Sequence, residues 1–162
     1  MNMKTEKSVS ERCSRIESLM RVEKTRIQAI TTRISKNWSV RPVALPQAGL
    51  GLLKLQDGAF HESFYLGEFP LATAHIAILT DPDGEEVEGA ASMMTDDAKM
   101  VEALAMCDAV LTHQLDGWQE IQNLVAEGKE IEKQTTIRRN AMLEKTRVDF
   151  SLLDEAGSEH ED

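Results

Sequence analysis

The sequence predicts an α+β protein with an N-terminal helix, an antiparallel sheet of four or five strands, and two C-terminal helices. Three observations carry that expectation. Apolar residues recur at helical spacing over 9–36 and again beyond residue 95. The stretch between them breaks into short apolar runs separated by Pro, Gly and Asp. No helix-length segment lies between those runs, which excludes a series of parallel crossovers and favours antiparallel pairing through tight turns.

Residues 9–36 read as one helix. Ser8 or Ser10 can cap it, and Glu11 suits the positive end of its first turn. Ile16, Met20, Ile27, Ile30 and Ile34 follow steps of three, four and seven and so share a stripe. Asn37 is the expected stop, with Trp38 folding back on the helix end. Val40–Leu45 is extended, because Arg41 and Leu45 each precede a proline. Pro46-Gln47-Ala48-Gly49 reads as a turn and Leu50–Leu55 as the next strand. Asp57-Gly58 makes another turn, followed by Phe60–Gly67 and the apolar Leu71–Leu79. Asp81-Pro82-Asp83-Gly84 turns the chain into a last strand, Val87–Met94.

Thr95 is the expected cap of the second helical part, with Asp96 and Asp97 complementing the helix dipole. Met100, Leu104, Cys107 and Leu111 form its stripe, widened by Val101, Ala105 and Ala109. Asp116-Gly117 interrupts the pattern, and a further helix runs from Trp118 to Arg147. Its stripe begins with Trp118, Ile121 and Val125 but then meets Gly128, Glu132 and Thr135. A helix whose apolar face stops midway is solvated there or held by a partner.

At 162 residues and 18.1 kDa the chain fits one domain, expected over 9–150, with a flexible 1–8 and an acidic disordered tail at 151–162. A composition of 41% hydrophobic and 28% charged residues argues against wholesale disorder. The apolar runs are too short to span a membrane and the N-terminus lacks an apolar signal core, so the expected location is the cytoplasm. Cys13 and Cys107 offer neither a disulfide framework nor a CxxC pair.

The net charge of −10 argues against a nucleic-acid binder. Its distribution is uneven. Residues 1–42 hold ten Lys and Arg against four Glu, a local +6 that leaves −16 for the remainder. Either the basic segment is a solvated helix face, or it docks on an acidic face of this chain or of a partner.

The residues offer no standard catalytic set. His61, His75, His113 and His160 show no HxxxH or HExxH spacing, and His61-Glu62 point to opposite faces of a strand. His75 reads as a hydrogen-bonded core or interface histidine, Cys107 as a small buried hydrophobe, and Met93-Met94 as packing residues. Gly49-x-Gly51 lacks the third glycine and the helix of a dinucleotide loop, and no GxxxxGK[ST] is present. Glu68, Asp97 and Asp108 are conceivable acids or bases, provided burial or neighbours perturb them. Their plainer readings are a turn residue, a first-turn dipole partner and a surface helix charge.

In order along the chain stand Pro46-Gln47-Ala48-Gly49-Leu50, Phe64-Tyr65-Leu66-Gly67-Glu68, Asp83-Gly84, Gly89, Asp97, Asp108-Ala109-Val110-Leu111 and Thr146-Arg147-Val148-Asp149-Phe150. This collinear set resembles the PhnG family of the bacterial carbon–phosphorus lyase system, whose pattern runs P-x-x-G-L, F-x-L-G-E, D-G, G, D, D-A-L and T-R-V-D-F. Each piece alone is common, and specificity lies in their order over about two thirds of the chain. The resemblance makes Pro46, Gly49, Phe64, Gly67, Glu68, Asp97, Asp108, Arg147, Asp149 and Phe150 the motif and interface candidates. Departures occur where the family has T-R-C, G-R-D and F-T-M-V-R-G. Ala72-Thr73-Ala74, Thr95-Asp96-Asp97 and Ser151–Ala156 stand there instead. Thr73 and Asp96 cannot replace the bidentate anion binding of arginine.

What the resemblance implies is an accessory subunit working with PhnI-, PhnH- and PhnJ-type partners. With PhnI, PhnH and PhnL, the family takes part in exchanging the adenine of ATP for an alkylphosphonate. The product is a ribose 1-alkylphosphonate 5-triphosphate. No cofactor or metal is expected on this chain, ATP being a substrate of the complex, and the charge and short apolar runs lead to no expected nucleic-acid or membrane partner.

Overall fold

The computed structural model describes residues 3–81 and 84–146. Helix α1 (Met3–Leu19) is followed by α2 (Lys24–Ile34), a 3₁₀ turn (Ser35–Asn37), strands β1 (Ser39–Gln56), β2 (Ser63–Leu79) and β3 (Val87–Met93), and helices α3 (Ala98–His113) and α4 (Trp118–Lys145). The strands form one antiparallel sheet in the order β1-β2-β3. The α+β class and the two C-terminal helices are as expected; among the described residues the strands number three rather than four or five.

The difference in strand number has a physical cause. Pro42, Pro46 and Gly49 all lie within β1, an edge strand, where a missing N–H costs no ladder hydrogen bond. The chain passes the expected turn as an irregularity in the ladder, with pairing jumping from Ala44↔His75 to Gln47↔Thr73. Pro70 is tolerated in β2 for the same reason. It pairs with Leu50 outward of Ala72–Ile78, the only part of β2 that β3 covers. The expected turn at Asp57 does form, closed by Phe60 N donating to Asp57 Oδ2 at 2.7 Å and Asp57 N to Glu62 O at 2.8 Å.

The N-terminal helix is two helices, the first beginning at Met3. A continuous stripe from Met20 to Ile27 would carry Glu23 into the core; instead the chain turns at 20–23 and Glu23 adopts an extended conformation. The turn changes the helical phase. Leu19, Val22 and Ile27 are buried, while Met20 faces solvent.

Helix α3 is the centre of the core. Its residues Met100–Leu111 are buried save Glu102, so both the expected stripe and its flanks are covered. Sheet residues Ala72, Ala74, Ile76, Ile78 and Ala91 pack below it, and Leu19, Ile27, Ile121, Leu124 and Val125 complete the core. Two glycines set the spacing. A Cβ at Gly89 would sit 2.2 Å from Ala105 O, and one at Gly128 would sit 1.9 Å from Ser18 O. Gly128, which weakens α4 as a helix residue, is thus where α1 meets α4.

Candidate functional site

Asp97 and Asp108 stand on one helix, eleven residues or about 16 Å apart, and Glu68 lies on the outer part of β2. The three acids do not converge. Asp97, rather than Thr95, caps α3: its Oδ1 accepts from Met100 N at 3.0 Å, and Thr95 Oγ1 accepts from Asp97 N at 3.2 Å. Its hydrogen bond to Lys24, then that from Met100, hold its carboxyl below the ordinary range. Glu68 is neither in a turn nor at a strand end; it is an exposed residue inside β2, opposite Leu52.

Asp108 corrects the expectation most. It is not a surface charge but 4% exposed on the apolar helix α3. Arg12 of α1 grips both its oxygens, Nε donating to Oδ1 at 2.9 Å and Nη2 to Oδ2. Oδ2 also accepts from Ala90 N of β3 at 3.1 Å. One carboxylate therefore fastens α1, α3 and β3, as a buried charge must be paired and hydrogen-bonded. The apolar neighbours Leu104–Leu111 signal its burial; nothing local singles out Arg12.

The same docking recurs along the basic segment. Lys24 pairs with Asp97, Arg26 with Glu127, Arg33 with Glu120 and Arg41 with Glu86. Of the alternatives left by the charge pattern, docking on an acidic face of this chain is the one found. These outer pairs are exposed and individually weak.

Cys107 is buried as expected, and burial, followed by the charge of Asp108, pushes its thiol up to about 12. It is no nucleophile at neutral pH. His75 is hydrogen-bonded at 2.9 Å to Glu88 on the neighbouring strand, on the sheet surface rather than in the core. Met93 packs against the core, but Met94 is exposed. Among the described residues no group of three or more His, Cys, Asp or Glu could hold a metal ion. No described helix is long and apolar enough to cross a membrane.

The candidates that came from motif order lie mostly elsewhere. Pro46 and Gly49 on β1, with Phe64, Gly67 and Glu68 on β2, all belong to the long β1–β2 hairpin and stand outside the buried core. Beyond Ala72, residues 49–56 and 63–71 pair only with each other, a two-stranded ribbon projecting about 26 Å. Thr73 is exposed at the ribbon's base, beside a recess of about 390 Å³ lined also by Gln47, His75 and Ser92. Asp96 stands in the loop before α3. Arg147, Asp149 and Phe150 lie outside the described residues, as does the tail at 151–162.

A small α+β domain, with its motif residues gathered on a projecting ribbon and no convergent reactive set among the described residues, is a protein rich in contact surface. The family profile of phosphonate metabolism protein PhnG matches residues 10–154, and the chain belongs to that family. It therefore takes part in phosphonate metabolism, in a family that works within a protein complex. No curated protein sequence matches the chain.

Proposed function

We propose that the chain is a non-catalytic accessory subunit of the carbon–phosphorus lyase core complex. With PhnI-, PhnH- and PhnL-type partners it serves the formation of ribose 1-methylphosphonate 5-triphosphate from ATP and methylphosphonate, alongside a PhnJ-type subunit. It binds no cofactor of its own, ATP being a substrate of the assembly, and it works in the cytoplasm. The observation that carries this reading is the place of Pro46, Gly49, Phe64, Gly67 and Glu68. They lie outside the buried core, where a motif serves something other than the fold. Family membership supports the same reading.

Co-expression with the PhnI-type subunit tests it. The expected result is a stable co-purifying complex, with Glu68→Gln weakening assembly or turnover while leaving the isolated fold unchanged. A monomer that never co-purifies, or that turns over a substrate alone, counts against the proposal. Thr73 and Asp96, standing where the family has arginine, favour a second reading: a stand-alone interaction or regulatory protein diverged from that role. A chromosomal setting without phosphonate genes supports that alternative.

A further inference from the structure

The outer ribbon presents exposed apolar side chains on both faces, and the first face also carries Lys54 and Glu68. Strand alternation and the pairs Leu52↔Glu68 and Lys54↔Tyr65 put Leu50, Leu52 and Tyr65 on one face; Leu53↔Gly67 and Leu55↔Phe64 put Leu53, Leu55 and Phe64 on the other. On the first face their exposures are 69%, 59% and 63%; on the second they are 42%, 38% and 46%. An isolated two-stranded ribbon is marginal in water, and large exposed apolar patches mark interaction sites. A flat contact would cover one face and leave the other wet.

Charge narrows the occupant. Residues 49–71 carry Lys54 against Asp57, Glu62 and Glu68, a net −2, and the ribbon tip itself is flanked by Asp57 and Glu62. That sign opposes an anionic lipid surface, which selects basic segments, and it opposes the same ribbon of a second copy. It complements a basic rim.

We infer that the ribbon inserts between two apolar walls of a partner protein, in a slot whose rim is rich in Lys and Arg. This rests on the subunit reading above and names the chemistry of the partner's receiving site. The described residues between Gly49 and Leu71 thereby become an arm gripped from both sides, not one edge of a flat interface.

Three double variants, each co-expressed with the PhnI-type subunit, test the slot: Leu52→Asp with Tyr65→Asp, Leu55→Asp with Phe64→Asp, and Glu62→Lys with Glu68→Lys. All six positions lie outside the core, so circular dichroism and thermal unfolding of the isolated variants should match wild type. Each face variant is expected to weaken binding by roughly 30-fold or more, the scale of a central interface residue. The charge variant should weaken it about tenfold at low salt, the loss shrinking as salt rises. Unchanged binding for either face variant overturns the slot while leaving the subunit reading intact. Failure of wild type to bind overturns both. A dimer of the chain alone that any of these variants dissolves, or flotation with phosphatidylglycerol vesicles that they abolish, assigns the ribbon to another occupant and also overturns the slot.

Discussion

The inner half of the sheet and its outer half are made of similar residues and live in different surroundings. At Ala72–Ile78 three strands are paired and α3 lies across them; alternate residues are small or β-branched and dry. Farther out the same two strands continue with Leu50, Leu52, Leu53, Leu55, Phe64 and Tyr65, all exposed, while Leu71 and Phe69 are half-buried. Helix α4 repeats the contrast. Ile121, Leu124, Val125 and Gly128 are buried, whereas residues 129–145, about 25 Å of helix, carry Ile131, Ile137, Met142 and Leu143 exposed. The fold needs the inner halves only. Hydrophobic residues in the outer halves therefore answer to something outside the domain.

Glycines give the sharpest break between the two zones. Ala at Gly89 would drive a methyl against the carbonyl of Ala105, and Ala at Gly128 would drive one against that of Ser18; both neighbours are helix backbone that cannot swing aside. Each substitution is expected to cost about 3 kcal/mol in urea unfolding, at the upper end for overpacking. Gains in helix propensity at residue 128, about 1 kcal/mol, do not offset the clash. Gly49 and Gly67 on the ribbon have open space where an alanine methyl would stand, and their Ala variants should stay within about 0.5 kcal/mol of wild type. A large loss at Gly67 in the isolated chain would place the ribbon in the fold's own core and erase the distinction.

Legibility follows the same division. Helix α3 is readable because Met100, Leu104, Cys107 and Leu111 repeat at helical spacing and Asp116-Gly117, with Gly117 at a φ of 86°, interrupts the pattern. The turn at Asp57 is readable from its own chemistry. What local pattern hides is long-range. Pro46 and Pro70 punctuate any strand read alone, and only the knowledge that they sit at a ladder edge restores β1 and β2 as single strands. The break at Glu23 likewise depends on which side of α1 meets Gly128. On the ribbon, Leu50 and Leu52 alternate just as core residues do, because period two reports a covered face without saying what covers it. Pro46, Gly49, Phe64, Gly67 and Glu68 stand out by family resemblance, and the fold alone gives them little to do.

Asp108 is where the inner zone is charged, and removing that charge is the next largest expected effect. Asp108→Asn keeps an acceptor for Ala90 N but gives Arg12 a neutral partner, and its guanidinium is only partly wetted. A loss of about 2 kcal/mol is expected, the range of a hydrogen bond to a charged group. A double-mutant cycle with Arg12→Met should show most of it as coupling between the two. If both single losses persist in full in the double variant, Asp108 holds β3 and α3 together without α1, and the three-way clasp is wrong.

The smallest effects concern the surface pairs that tie the basic segment to the inner zone. Hydrogen bonds from Lys24 to Asp97, from Arg26 to Glu127 and from Arg41 to Glu86 hold all three carboxyls below their ordinary values. A depressed folded-state pKa contributes stability that is present above the unfolded value and is lost as pH falls through the folded one. The pairs' contribution to the unfolding temperature should therefore be constant with pH near neutrality and decline below about pH 4.5, where unfolded carboxyls begin to bind protons. The decline should be shallow, since exposed pairs contribute little, and a salt concentration of about 0.5 M should flatten it further. Location separates this from general acid expansion. Hydrogen exchange at about pH 3, below the ordinary carboxyl range, should rise first in α2, which Lys24 and Arg26 hold down, before it rises in α3. Simultaneous loss of protection across α3 and α2 would show that these charges fasten nothing in particular.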